Sequence, residues 1–178
     1  TGLQFLGKNL TTGQLLDFCR DLLAAGLQLA RGLVVWQEVV GECEQAAREL
    51  RLCAGQTYLT NKLRWTDAAP ENIDSATWLR AINNVYRAFS DAAQTLDTLT
   101  EIAPDFVRLN ERALILAEKA QRFSLPAAAG CVRWVDVGAQ LRLVESPLNI
   151  AEAVQAKMLG AAGDSAKSWI FTSATLGD

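Results

Sequence analysis

Apolar residues recur every three or four positions over two long stretches, and this helical spacing constrains the fold more than any other feature of the sequence. From Ser75 to Leu99 the apolar residues fall on one helix face at about 100° per residue: Trp78, Ile82, Val85, Phe89, Ala92, Leu96 and Leu99. The second stretch begins at Pro104, which suits the first turn of a helix, and contains Phe106, Leu109, Ala113, Leu116, Ala120 and Phe123. Each stretch therefore predicts a long amphipathic helix with one buried face.

Two further helices are predicted earlier in the chain. Asn9 to Thr12 supplies side chains that can cap a helix start, and this helix is expected to run to about Arg31, where Gly32 interrupts the pattern. A second helix is expected over Val34 to Ala54, with Gly55 as its C-terminal cap. A single bent helix across the interruption is the alternative.

Strand signals are few, and most of them follow Pro126. Cys131 to Val137 and Leu141 to Glu145 have strand-like patterns separated by a short turn, which predicts a β-hairpin. A helix is expected from about Asn149 to Leu159, and a final strand is expected from Ser168.

Two other segments complete the prediction. Leu3 to Leu6 is expected to form a short strand, whereas Gln56 to Asp74 mixes Gly, Thr, Asn, Asp and Pro and is expected to be a loop or a short helical turn. The sequence therefore predicts a mainly α fold of the α+β class. In this fold an antiparallel four-helix bundle is joined to a small base made of a β-hairpin and a strand.

Composition excludes several classes of function. The chain has no histidine, which excludes Ser-His-Asp and Cys-His catalytic sites and histidine-ligated metals. No two cysteines have CxxC spacing, so we expect no metal site and small core roles for Cys19, Cys43, Cys53 and Cys131. A net charge of −3 argues against nucleic-acid binding by bulk charge alone, although local patches can still bind. Without a membrane span or signal peptide in the sequence, we expect a cytoplasmic protein with no membrane partner.

Four basic residues cluster on one side of the fourth predicted helix: Arg108, Arg112, Lys119 and Arg122. One interpretation is an ordinary charged outer face, balanced by Asp105, Glu111 and Glu118. The other is a row of phosphate contacts along single-stranded nucleic acid. In that case Trp65 and Trp134 are candidates for stacking on bases, although either can instead belong to the core.

Three segments resemble a known helicase family. The segment from Thr172 to Leu176, which follows the apolar run from Trp169 to Phe171, resembles motif III of superfamily 2 helicases. Phe5 to Asp17 resembles the segment after the DEAH box in DinG/YoaA-type helicases, which are similar to XPD. Leu143 to Leu148 resembles the return of those proteins into their first motor domain.

The resemblance implies that the chain is a fragment of an ATP-dependent DNA helicase that moves 5′ to 3′ along single-stranded DNA. Residues 1–126 would be a helical, arch-like insertion, with residues 1–10 as a strand leading in. Residues 127–178 would return to the first motor domain as a hairpin, a helix and a strand. ATP, magnesium and a 4Fe–4S cluster would belong to the parent protein, so the fragment alone would have no catalytic residues and no activity.

The resemblance also implies roles for particular residues. The motif III residues Thr172, Ser173, Ala174 and Thr175 would couple ATP hydrolysis to translocation. The arch would contact single-stranded DNA through Arg108, Arg112, Lys119 and Arg122, and its other partner would be the rest of the helicase chain. The alternative is a non-enzymatic helical module that docks a partner protein through an apolar or acidic face, such as that around Glu38, Glu42 and Glu49.

Overall fold

The computed structural model describes residues 8–55 and 61–148. These residues form four helices and four strands, which confirms the mainly α fold with a small β component. In chain order the elements are β1 (Lys8–Thr11), α1 (Thr12–Leu29), α2 (Trp36–Cys53), β2 (Asn61–Trp65), α3 (Ser75–Asp97), α4 (Pro104–Ser124), β3 (Cys131–Val137) and β4 (Leu141–Pro147).

Local signals set the helix ends. The Thr11 hydroxyl accepts a hydrogen bond from the Gln14 N–H at 3.0 Å, and the Gln14 side chain accepts one from the Thr11 N–H at 3.2 Å. This reciprocal capping box satisfies two N–H groups at the start of α1 that have no partner within the helix. Pro104 lies in the first turn of α4, as predicted. The alternative of one bent helix across Gly32 is wrong, because α1 and α2 are separate helices.

The four helices pack as a ring. Each helix contacts the next one in the chain, and α1 also contacts α4. Helices α2 and α3 run antiparallel: the thiol of Cys43 lies near the Ala88 carbonyl, whereas that of Cys53, further along α2, lies near the earlier Thr77 carbonyl. The bundle interior is apolar throughout, and its largest fully buried side chains include Trp36, Trp78, Phe18, Phe89, Phe106 and Phe123.

The four strands form one antiparallel sheet in the order β1-β4-β3-β2. The hairpin of β3 and β4 confirms the sequence prediction, although β4 continues to Pro147. The prediction of a loop throughout Gln56 to Asp74 is wrong, because Asn61–Trp65 is a strand paired with β3. The sequence did not reveal this strand for two reasons. Five residues are too few to show a clear period of two, and the strand that supplies the hydrogen bonds lies about 70 residues away in the chain.

The sheet packs against one end of the bundle. Trp65 of β2 stacks on Phe123 with ring centroids 5.7 Å apart, and meets Trp78 edge to face at 5.3 Å. The turn between β3 and β4 is tied to two helices, because Arg51 donates to the Gly138 carbonyl at 2.7 Å and the Thr12 hydroxyl accepts from the Leu141 N–H at 3.0 Å. The core therefore runs without a break from the bundle into the inner face of the sheet.

The predicted division at residue 126 crosses this sheet. It takes β1 and β2 from residues 1–126, and β3 and β4 from residues 127–178. The strand predicted at Leu3 to Leu6, the helix predicted from Asn149 to Leu159 and the final strand from Ser168 lie outside the described residues. None of the four described helices is long and apolar enough to cross a membrane.

Candidate nucleic-acid interface

Three of the four basic residues predicted to contact DNA form ion pairs with side chains of this chain. Arg108 lies 3.7 Å from Asp105 one turn earlier on α4, and both side chains are largely exposed. Arg112 donates to the Asp21 carboxylate of α1 at 2.9 Å. Arg122 and Glu145, on β4, are likewise 2.9 Å apart. We call Arg108, Arg112, Lys119 and Arg122 the basic row. This row follows the seam between α4 and α1 and ends beside the sheet.

Lys119 differs from these three arginines. It is half-buried and forms no ion pair within the part of the chain that the structure describes. Burial lowers the pKa of Lys119, and the positive charge of Lys8 on β1 lowers it further. The two lysines therefore raise each other's energy where α4 meets β1, and Glu145 is directly opposite Lys8 in the sheet. We call Lys8 and Lys119 the lysine pair.

A buried ionic cluster lies under the basic row. Arg133 of β3 and Glu145 of β4 are directly opposite each other in the sheet, and both side chains are almost fully buried. Arg133 Nε lies 3.3 Å from Glu145 Oε2, which also accepts the Ala128 N–H at 3.0 Å. The Arg133 guanidinium donates to the carbonyls of Leu125 and Arg122. The cluster therefore joins the end of α4 to the centre of the sheet.

The sequence contained a signal for this cluster. Alternation along β3 places Arg133 on the same face as Val135 and Val137, which are buried. A charged residue at an inward position requires a partner of opposite charge, and Glu145 occupies the matching inward position on β4. The Arg133 guanidinium also lies 5.1 Å from the Trp65 ring centroid, which adds a cation–π contact.

We expect Glu145 to make the stability of the protein depend on acidic pH. Burial acts to raise the pKa of Glu145, but the hydrogen bonds from Ala128 and Arg122 and the charge of Arg133 together hold it below the ordinary 4.5. The unfolded chain then binds the proton more readily than the folded one. The stabilisation is therefore fully present above pH 4.5 and is lost as the pH falls towards the lower, folded-state pKa.

Urea denaturation at a series of pH values measures this effect. The free energy of unfolding of the wild type should decline more steeply below pH 4.5 than that of a Glu145→Gln variant, which cannot titrate at this position. Taking the difference between the two proteins removes the contribution of the other carboxyl groups. Parallel pH profiles would contradict the assignment.

The two tryptophans considered for base stacking have different environments. Trp65 is buried between Trp78 and Phe123, so it is a core residue. Trp134 is half-buried on the face of the sheet that points away from the bundle. The Nζ of Lys62 lies 5.7 Å from the Trp134 ring centroid. Only Trp134 is therefore placed where a ligand could reach it.

The acidic residues considered as a docking face lie around α2. Glu42 and Glu49 line an open groove of about 270 Å³ between α2 and α3, together with Asp91 and Arg87 of α3. Glu38 is exposed in the first turn of α2. Two of the three predicted acids therefore share one groove, and a basic side chain faces them there.

The cysteines are free thiols, and Cys19 and Cys43 are buried as predicted, whereas Cys53 and Cys131 are only half-buried. A hydrogen bond with Cys19 and burial raise the pKa of Cys43 well above its ordinary value, so this thiol stays protonated. Among residues 8–55 and 61–148, no cluster of three or more Cys, Asp or Glu side chains could hold a metal ion.

The predicted motif III residues, Thr172, Ser173, Ala174 and Thr175, lie outside the described residues.

Comparison with known proteins provides the link to a family. No family model matches the chain, and no solved structure matches it. The chain is 26% identical over 185 residues to the ATP-dependent DNA helicase YoaA of Escherichia coli (strain K12). The alignment covers 97% of this chain but only 26% of that helicase. This similarity supports a relationship between the chain and one segment of a DinG/YoaA-like DNA helicase.

Proposed function

We propose that this chain is the arch-like fragment of an ATP-dependent 5′–3′ DNA helicase, and that it guides single-stranded DNA. The similarity to a DNA helicase along nearly the whole chain carries this proposal. The described residues support it with a compact helical bundle that has a basic row along the α1–α4 seam. The fragment supplies a surface for the separated strand, and the motor supplies the force.

We assign phosphate contact first to the lysine pair, of which Lys119 belongs to the basic row. Arg112 and Arg122 hold neighbouring elements together through Asp21 and Glu145, so DNA would have to compete with those carboxylates. Arg108 has only an exposed ion pair, which contributes little and opens easily. Lys119 has a cation, Lys8, as its neighbour, and a phosphate between the two ammonium groups would relieve their repulsion.

In this proposal the chemistry of nucleotide hydrolysis belongs to the rest of the parent protein. Phosphoryl transfer needs a phosphate cradle, magnesium ligands and a group that positions water. ATP, magnesium and a 4Fe–4S cluster would therefore be held by the parent outside this fragment. Thr172, Ser173, Ala174 and Thr175 would couple hydrolysis to movement along DNA. Hydrolysis of ATP by the 178-residue chain alone would contradict this division of labour.

The salt dependence of binding to a single-stranded oligonucleotide tests the phosphate contacts. For single strands, the slope of log K against log salt concentration changes by about 0.7 for each phosphate neutralised. We expect Lys119→Gln to weaken binding and to reduce the slope by about that amount. Lys8→Gln should do the same, because the proposal places one phosphate between the two lysines.

A matched control separates these contacts from a general effect of charge. Arg48 is exposed on α2, a helix on the other side of the bundle, and among the residues that the structure describes it pairs with Glu44 alone, on the same helix. Arg48→Gln removes one positive charge from the protein and should leave the salt slope unchanged. If Lys119→Gln and Arg48→Gln have the same effect, the lysine pair is not a phosphate contact. Failure of the wild type to bind DNA would instead favour the helical interaction module.

A further inference from the structure

The sheet has a second face with a different character. Alternation points Leu63 and Trp65 of β2 towards the bundle, and it points the intervening residues Lys62 and Arg64 away from it. Val132 and Asp136 of β3 also lie on this outward face, and the basic and aromatic residues that remain accessible on it are Lys62, Arg64, Trp134 and Arg142. We call these four residues the tryptophan face.

The ring of Trp134 lies at the centre of this face, between cations on both sides. Arg64 is directly opposite Trp134 on β2, and Arg142 is a diagonal neighbour on β4. Neighbouring strands are about 4.8 Å apart, so the two arginines begin one strand to either side of the ring. Neither arginine forms an ion pair within the described residues; Asp136, which is directly opposite Arg142 in the sheet, pairs instead with Lys62 at 2.6 Å.

Packing does not require a tryptophan at this position. The core lies on the opposite face of β3, where Val135 and Val137 are buried. On the outward face, Val144 and Ser146 of β4 are also buried, so Arg142 is the residue that β4 contributes to the accessible part of this face. On this face, the aromatic ring of Trp134 could stack on a base, and the unpaired arginine on either side could contact the adjacent phosphates.

We propose that the tryptophan face binds single-stranded DNA by stacking a base on Trp134, while Arg64 and Arg142 contact the phosphates on either side. The identity of the ligand rests on the proposed function, but the residues are separate from the lysine pair. Stacking tolerates any sequence because every base has an aromatic face. The lysine pair would therefore hold the backbone, and the tryptophan face would hold a base.

A comparison of two oligonucleotides of equal length tests stacking directly. Oligo-dT carries both bases and phosphates, whereas an abasic oligomer carries only the phosphates. We expect the wild-type protein to bind oligo-dT more tightly, by about 5- to 100-fold for one stacked base. Trp134→Ala should abolish this difference, and Trp134→Phe should retain most of it, because phenylalanine keeps an aromatic face.

Two further variants distinguish stacking from phosphate contact. Arg64→Gln and Lys119→Gln should each weaken binding of both oligomers by the same factor, since each removes a positive charge and no ring. Thermal unfolding of each variant shows whether it is folded, and Trp134→Phe tests the ring if Trp134→Ala does not fold.

The outcomes separate this inference from the proposed function. If the wild type binds both oligomers equally well, or if Trp134→Ala weakens both by the same factor, stacking on Trp134 is wrong and DNA binding by the chain stands. If the wild type binds neither oligomer, the proposed function fails, and the stacking site fails with it.

Discussion

Replacing Glu145 by glutamine is expected to lower the free energy of unfolding by about 3 kcal/mol or more. The change keeps the shape of the side chain but removes the only carboxylate in the ionic cluster that joins α4 to the sheet. Arg133 is then left charged in a site where its side chain is only 4% exposed. Removing one partner of a buried ion pair typically costs about 3–5 kcal/mol, because the remaining charge is not compensated.

Other contacts of Arg133 place the expected loss near the lower end of that range. Its guanidinium keeps hydrogen bonds to the carbonyls of Leu125 and Arg122, and it lies close to the rings of Trp65 and Phe123. These groups solvate the cation partly but carry no negative charge. Denaturation in urea at pH 7 measures the loss, and an unchanged slope would show that the unfolded state is the same.

Asp17→Asn is the matched control for this experiment. Asp17 pairs with Arg20 on α1 at 3.0 Å, and both side chains are more than half exposed. The same conversion of a carboxylate to an amide should therefore cost less than about 1 kcal/mol there. Equal losses in the two variants would show that the cluster at Glu145 contributes no more than a surface ion pair.

A double variant tests whether the cost comes from an unpaired charge. In Arg133→Met with Glu145→Leu, both buried charges are replaced by apolar side chains, and such exchanges are often neutral or stabilising. The Arg122 side chain, the Ala128 N–H and the carbonyls of Leu125 and Arg122 lose their partners as well. These four hydrogen bonds are only partly buried, so water can replace the lost partners. We expect the double variant to be more stable than Glu145→Gln. If the double variant is less stable than Glu145→Gln, the unpaired charge of Arg133 is not the main cost. The hydrogen bonds and ion pairs of the cluster would then be what holds the sheet on the bundle.

Replacing Gly26 by alanine is expected to destabilise the protein, although alanine is the better helix former. A Cβ at Gly26 would lie 2.3 Å from a ring carbon of Trp36, far inside van der Waals contact. The ring cannot move away easily, because its Nε1 donates to the Ala30 carbonyl at 3.0 Å and its face stacks on Phe106 at 5.9 Å. Overpacking of this kind costs about 1–3 kcal/mol.

Gly41→Ala provides the control, since it makes the same change in the interior of α2. Among the described residues, a Cβ at Gly41 would meet no atom within 4 Å other than its chain neighbours and the backbone of its own helix. Alanine should therefore stabilise the protein there by about 0.5–1 kcal/mol through helix propensity. Thermal and urea unfolding of the two variants should shift in opposite directions. If both substitutions stabilise the protein, Trp36 does not pack against α1 as described.

The sequence by itself determined the parts of this protein whose interactions are local. The hydrogen bonds of a helix join residues four apart, so local signals predicted all four helices to within a few residues. These signals were the apolar spacing, the capping residues from Asn9 to Thr12, and Pro104. The hairpin of β3 and β4 was predictable for the same reason, because a short turn joins its strands. The position of the basic row on one side of α4 could also be predicted, because it depends only on the angles between residues of one helix.

Only the tertiary structure decided which distant groups meet. Asn61–Trp65 is a strand because β3 supplies its hydrogen-bonding partners, and Trp65 is a core residue because α3 and α4 cover it. Arg112 and Arg122 are paired, whereas Lys119 has a cation as its neighbour, because α1, β4 and β1 bring Asp21, Glu145 and Lys8 to these three residues. Such contacts depend on how whole elements pack, since charge and burial act through space and not along the chain.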